Sequence, residues 1–306
     1  MSGGLDSQLA VRVLERAGAY VEAVAFQTPF FDNSKARVAA EALGVKLHVI
    51  DFLEDEIGLI ENPPHGFGGA MNPCIDCHAL MIRRAGELMT RLGFDFVATG
   101  EVRGQRPMSQ NAQSLVTVEK ASGLKGRLVR PLSAKLLEPT IPELEGKLDR
   151  EKLLDISGRS RDRQIALAAE FGIVDYPSPA GGCKLTEDAF GRKLRDLMEH
   201  EGLKDRVLVE LLLVGRRFRL PDGSGVILGR DGKENAKLRE VAASSHATGM
   251  SRPLLVTPPK SLVGPTALVP ELKSDADLKL VEGIVRAWCR GTTETDRTPF
   301  KPYQLT

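Results

Sequence analysis

The sequence predicts an α/β protein: a mostly parallel sheet layered with helices, followed by a second, smaller α+β domain. Three observations carry this. Helix-like and strand-like hydrophobic periods alternate through the first hundred residues, which implies right-handed crossovers and parallel strands. From about residue 205 short strands take over around Gly- and Pro-containing turns. The 306 residues also suffice for two ordinary hydrophobic cores.

Each element follows from its own pattern. Leu9, Ala10, Val13 and Leu14 recur at helical spacing and Gly18 suits a stop, so 7–17 is a helix. Residues 21–27 (VEAVAFQ) read as a buried strand, 34–43 as a helix closed by Gly44, and 45–51 (VKLHVID) as the next strand. Residues 61–73 (ENPPHGFGGAMNP) form a loop too long for a plain connection, which points to a lid or site loop. Ala79, Leu80, Ala85, Leu88, Met89 and Leu92 mark a helix ending at Gly93, and FDFVATG (94–100) a strand with a small-residue turn. Residues 141–172 read as helical, SPAGGC (178–183) as a loop, and about 186–199 as a helix. Further on, RRFRL (216–220) and VILGR (226–230) flank PDGSG as a hairpin. Residues 233–241 form a short helix, PLLVT and TALVP are strands, and 275–290 is an amphipathic helix. The last dozen residues are polar and expected to be loose.

Composition narrows the function. Hydrophobic residues make up 42% and charged residues 27%, a soluble globular balance. Lys+Arg 42 against Asp+Glu 41 excludes a protein held to nucleic acid by bulk charge and leaves room for local basic patches. No apolar run approaches the ~18 residues of a membrane span. No basic-then-apolar secretory start is visible, so no membrane partner is expected and a cytoplasmic location is.

Ser2-Gly3-Gly4-Leu5-Asp6-Ser7 precedes the first helix. Its glycines let the backbone turn tightly, and the N–H groups at the helix start then face a phosphate. Ser2 and Ser7 add hydroxyl donors, and Asp6 is an oxygen ligand suited to Mg²⁺. Asn72-Pro73-Cys74-Ile75-Asp76-Cys77 is a CxxC at a helix start, and Cys183 stands in a second loop before a helix. Such thiols are good ligands or nucleophiles. Three thiolates can bind a [4Fe–4S] cluster with one iron open, two can carry sulfur as a persulfide or disulfide pair, and a zinc site would lack its second pair. Cys289, beside Trp288 in the last amphipathic helix, reads as a packing residue.

The full SGGLDS resembles the SGGxDS signature of the PP-loop ATP pyrophosphatase family over roughly residues 1–190. The resemblance implies a Rossmann-like (adenine nucleotide alpha hydrolase) sheet, domain bounds near 1–200, and ATP cleaved between its α- and β-phosphates. It implies phosphate contacts from Ser2, Gly3, Gly4, Asp6 and Ser7, an adenine near Phe26, and a pocket lined by Thr99 and Gly100. In that family a buried strand leads into the loop. A chain beginning at Met1 is expected to lack this N-terminal central strand. With the CxxC, the later single cysteine and VATGEVRGQRPMSQN (97–111), the resemblance sharpens to the tRNA thiouridine synthases of ThiI and MnmA type. It then implies catalytic Cys74, Cys77, Cys183 and Asp6, ATP and Mg²⁺, a [4Fe–4S] cluster or a persulfide, a tRNA substrate, and a separate sulfur donor such as a cysteine desulfurase or sulfide.

Gly229-Arg230-Asp231-Gly232-Lys233-Glu234-Asn235 follows a strand, with Arg216, Arg217 and Arg219 on the neighbouring one. Such groups position a nucleic acid through its phosphates. The stretch resembles the RNA-binding domain of the NFACT family and implies RNA contacts from Arg216, Arg217, Arg230, Lys233 and Asn235 within a domain at 205–306. Basic residues Lys125, Arg127, Arg130, Arg159, Arg161 and Arg163 add contacts or pair with nearby carboxylates. Two other functions stay open: a PP-loop ligase or amidotransferase, and a non-catalytic RNA-binding protein.

Overall fold

Helix α1 (Leu5–Arg16) starts where Gly4 supplies an extended N-cap, and Leu5, Leu9 and Val13 bury one face at helical spacing. A computed structural model describes residues 1–106, 109–178, 182–244 and 253–305. The chain is a mixture of helix and strand with parallel pairing, divided into two units, Met1–Thr186 and Glu187–Thr306.

In the first unit β1 (Ala23–Gln27) and β2 (Leu47–Asp51) run parallel, from Ala23↔Leu47 to Gln27↔Asp51. Helix α2 (Ser34–Leu43) crosses between them and ends at Gly44, whose φ of 70° a side chain would resist. Helix α3 (Leu53–Glu61) leaves β2 at once, its Leu53 N–H on the Asp51 carboxylate. After α4 (Cys74–Leu92) come β3 (Val97–Ala98), α5 (Ala112–Ser122) and β4 (Leu128–Val129), with Val97↔Leu128 and Ala98↔Val129 again parallel. The strands stand as two separate parallel pairs rather than one sheet. The Met1 amino group donates to the Val24 carbonyl, so the chain enters its first loop alongside β1.

Two readings in this unit need correction. FDFVATG is strand only at Val97–Ala98. The stretch 141–172 is not one helix: it holds α6 (Ile141–Leu144) and α7 (Asp162–Glu170), with a single 3-10 turn (Arg150–Lys152) and irregular backbone between them. There the Leu154 and Ile156 N–H groups donate to the Pro131 and Leu132 carbonyls. That path buries Leu148, Leu153 and Ile156 against α1 in one core cluster, a gain that outweighs local helix preference.

The second unit opens with α8 (Asp188–His200) and α9 (Arg206–Glu210). The helix expected at 186–199 thus falls at the start of the second unit. The physical tie is Asp196, which accepts from Arg219 at 3.0 and 2.5 Å. Five antiparallel strands follow: β5 (Arg216–Arg219), β6 (Gly225–Leu228), β7 (Leu254–Val256), β8 (Ala267–Val269) and β9 (Gln304–Leu305). Their order is β7-β8-β6-β5-β9. Helix α10 (Gly232–Ala243) follows β6, and α11 (Leu278–Ala287) buries Val281, Ile284 and Val285 in the sheet's core. The tail is ordered rather than loose. After α12 (Glu294–Arg297), Phe300 packs on Trp288 and β9 pairs with Arg217 and Phe218. Cys289 is buried with its thiol on the Val285 carbonyl.

Candidate active site

The opening loop is fixed by its backbone. Gly3 has φ 76°, and a methyl group there would fall 2.4 Å from the Lys35 carbonyl oxygen, so the loop lies directly on the start of α2. Gln8, buried on α1, donates to the Gly3 carbonyl at 3.0 Å and to Asp175 at 3.1 Å. The Ser7 hydroxyl donates to the Gly4 carbonyl, and the Gly4 N–H reaches the Ser2 hydroxyl at 3.4 Å. Asp6 takes the Gln105 amide at 3.0 Å on one oxygen, while its other oxygen, Oδ1, is buried without a partner among the described residues. Such a carboxylate oxygen would suit a small hard cation such as Mg²⁺.

Thr99 and Gly100 stand against this loop, with Gly100 on the backbone of Asp6 and Ser7. The turn is held from behind by a buried ion-pair network absent from the sequence reading. Arg130 donates to Glu101 at 2.9 Å, to Glu119 at 3.0 Å and to the Leu115 carbonyl at 3.0 Å. Thr99 donates to Glu101 at 3.1 Å, and His78 of α4 lies 3.5 Å away. Burial pushes the Glu101 carboxyl up, but His78 and Arg130 outweigh it and hold it at about 2. Arg130, expected either to add a contact or to pair with a carboxylate, is thus paired inside the unit. Arg163 pairs with Asp155 at 2.6 Å. Phe26, expected near an adenine, packs edge-on against Phe52 with ring centres 5.2 Å apart.

The thiols converge on a second part of the same unit. The 61–73 loop folds back on the start of α4: His65 bonds Asp76 through both its N–H (2.9 Å) and its ring (2.5 Å). Asn72 donates to the Cys74 sulfur at 3.1 Å. Cys77 is buried and donates to Glu56 of α3 at 3.8 Å. Glu56 also bonds Thr28, just beyond β1, and burial pushes its carboxyl up to about 7. Lys184, next to Cys183, donates its backbone N–H to the Phe30 carbonyl in that same turn. Burial first, then the charges of Glu56, Cys183 and Cys74, push the Cys77 thiol well above its ordinary value. Cys77 is therefore the thiol on which Glu56 and the two other sulfurs act. All four cysteines are thiols.

Glu56 was missed from the sequence, although a signal existed. Leu53, Glu56 and Ile60 share the buried face of α3, so an acidic residue sits at a core position. Pro179, Ala180 and Gly181 before Cys183, and Pro107 and Met108 after Gly100, lie outside the described residues.

In the second unit the expected RNA contacts separate. Arg216 and Arg230 line a cavity of about 410 Å³ together with Arg290, Arg297 and Trp288. Lys233 is exposed at the start of α10. Asn235 also borders the cavity, but its side-chain Oδ1 accepts the Thr266 N–H at 2.9 Å and so ties α10 to the residue before β8. Arg217 is a correction: it is buried beside Asp196 and Glu201, which removes it from any RNA surface, and burial lowers its guanidinium to about 10.

No family model matches the chain. Among curated proteins, it is 35% identical over 112 residues to a tRNA-specific 2-thiouridylase MnmA of Sulfurimonas denitrificans, covering 33% of this chain and 32% of that protein. It is 30% identical over 141 residues to the tRNA-specific 2-thiouridylase MnmA of Marinobacter nauticus (41% and 34% covered). A probable tRNA sulfurtransferase of Staphylococcus aureus is 27% identical over 143 residues (43% and 33% covered). The chain thus spans about a third of the length of these relatives. Among the described residues, no helix is long and apolar enough to cross a membrane. The chain's distant relatives, then, bear the names of tRNA-thiolating enzymes.

Proposed function

We propose that the first unit binds ATP on the Ser2–Ser7 loop and activates a tRNA uridine for thiolation, with Cys74, Cys77 and Cys183 handling the sulfur. The observation that carries this reading is that Cys77, bonded to Glu56, lies within reach of the charges of both Cys74 and Cys183, in the same unit as the loop. The Rossmann-like reading places the nucleotide at the carboxyl ends of β1 and β3, where Thr28 and Thr99–Gly100 stand. A ligase using ammonia has no need of three converging thiols.

The chemistry runs in two stages. A uracil carbonyl oxygen attacks the α-phosphorus of ATP, pyrophosphate leaves, and the base carries AMP on that oxygen. Loop N–H groups and the α1 N-terminus offset the phosphate charge, with Asp6 Oδ1 available to a magnesium ion. A separate donor that carries a persulfide then passes its outer sulfur to Cys74 or Cys183, the half-buried thiols, and keeps its own thiol. The terminal sulfur attacks the activated carbon and AMP leaves with the oxygen. A second thiolate attacks the loaded cysteine's own sulfur, frees thiouridine and leaves a disulfide, which an external thiol reduces. The base must leave its stack to reach these groups.

An iron–sulfur centre would draw on the same three thiols. Among the described residues, however, no three His, Cys, Asp or Glu side chains stand as a metal-ligand group, so no step is assigned to one. In the second unit Arg216, Arg230 and Lys233 serve as RNA contacts.

The test is mass analysis of tRNA nucleosides from cells lacking the gene, with re-expression of the wild type or Cys183→Ala. Thiouridine lost in the deletion, restored by the wild type and not by the variant is the expected result. Unchanged thiouridine in the deletion, or full activity of the variant, overturns the reading.

A further inference from the structure

The arginine cavity of the second unit carries more than a general affinity for RNA. Four guanidiniums, those of Arg216, Arg230, Arg290 and Arg297, border its volume of about 410 Å³. The nearby carboxylates are already engaged. Asp231 caps α10 by accepting the Lys233 and Glu234 N–H groups at 2.9 Å each. Glu234 takes Arg230 at 2.9 and 3.0 Å. Glu294 and Asp296 act on Arg297, and Lys193 adds a further positive charge near Arg216 and Arg230. Among the described residues neither Arg216, half-buried on β5, nor Arg290, exposed after α11, has a carboxylate partner. Burial and the charges of Arg230 and Arg297 push the Arg216 guanidinium below its ordinary value, against the pull of Glu234. Like charges held this close with no counterion of their own mark a place where an anion is missing.

Charge and size choose the anion. An internal phosphodiester brings one negative charge, whereas a phosphate monoester brings about −1.5 to −2 near neutral pH. The second matches the two guanidiniums without a carboxylate of their own, Arg216 and Arg290. The volume sits in the ~300–1,000 Å³ range of small-molecule sites, the scale of one nucleotide rather than a duplex. Arginine forks suit phosphate oxygens. Trp288, fixed edge-on to Phe218 with ring centres 5.2 Å apart, gives the cavity an apolar side for a sugar or base.

We propose that this cavity receives the phosphate-monoester end of an RNA strand, so that the second unit holds its substrate by a 5′-phosphate terminus. The inference rests on RNA being this unit's partner and is independent of the thiolation chemistry. The test measures binding of the full chain, at fixed salt, to a short single-stranded RNA bearing a 5′-phosphate, to the same RNA with a 5′-hydroxyl, and to a free nucleoside 5′-monophosphate. The phosphorylated RNA is expected to bind about tenfold tighter than the hydroxyl form. Arg216→Gln and Arg290→Gln should each shrink that preference to about twofold or less. Arg290 is exposed, so its variant keeps the test valid if Arg216→Gln fails to fold. Equal binding of the two RNAs overturns end recognition and leaves RNA contact standing. Binding of neither RNA overturns both. A free monophosphate that binds as tightly as the phosphorylated RNA assigns the cavity to a nucleotide and overturns the RNA end.

Discussion

Gly100 lies on the backbone of Asp6 so closely that a methyl group on its Cα would fall 2.7 Å from the Asp6 carbonyl oxygen. This contact joins the turn after β3 to the first turn of α1. It brings together two chain segments that sequence inspection treats as separate parts of one nucleotide site.

Gly100→Ala should therefore disturb the loop directly, because the atoms in its way are main chain and cannot rotate aside. A stability loss of about 1–3 kcal/mol is expected, together with weaker ATP binding. Gly69→Ala, with nothing within 4 Å of the new methyl, is the control and should leave both unchanged. Thermal unfolding and equilibrium nucleotide binding give the two readouts.

The thiols should differ in reactivity. Cys74 and Cys183 are half-buried, whereas Cys77 and Cys289 are buried and their thiols are pushed up. Brief alkylation of the native protein should label Cys74 and Cys183 first, with Cys77 and Cys289 reacting on denaturation. Peptide mass mapping over time shows the order, and early labelling of Cys77 would contradict its placement against Glu56.

Arg130→Met should be among the most damaging single changes in the first unit. It leaves Glu101 charged and buried with, among the described residues, His78 and Thr99 as its remaining partners. Breaking one side of a buried pair costs about 3–5 kcal/mol. Chemical denaturation of the variant against the wild type measures it.

Glu101 also predicts an acid limit. Its carboxyl is held at about 2, below the ordinary 4.5, so the folded state binds this proton less readily than the unfolded chain. The stability it contributes is complete above 4.5 and is lost as pH falls from 4.5 toward 2. Glu101→Gln should flatten the stability profile in that window and leave its slope above pH 6 unaltered; an unchanged acid slope would refute the role.

Asn235 works as a structural tie. Asn235→Ala removes the acceptor for the buried Thr266 N–H and should cost about 1–3 kcal/mol in the second unit. Hydrogen exchange at Thr266 is the direct check: its protection should fall in the variant.

Much of the local structure was legible without coordinates. Leu9, Val13 and Leu14 announce α1, Gly44 and Gly93 mark two helix ends, and the RRFRL and VILGR strands appear as the β5–β6 hairpin. Residues 141–172 misled because Leu148, Leu153 and Ile156 carry apolar side chains whose partners lie far away in sequence, on α1 and the 130–133 segment. The tail misled because a polar terminus gives no sign that β5 will pair with Gln304 and Leu305.

The order of residues alone determined that two glycines open a helix, that a CxxC stands at the start of another, and that arginines flank a hairpin. Helical and strand periods, chain reversals and motif spacing are local, and local chemistry reads them. Only the tertiary structure decided that Glu56 would meet Cys77 and that Arg130 would turn inward to Glu101. It alone decided that Arg217 would be buried while Arg216, one residue earlier, faced the cavity. The reason is physical: burial and charge pairing depend on which distant segments meet, and on a strand one residue's step changes the face.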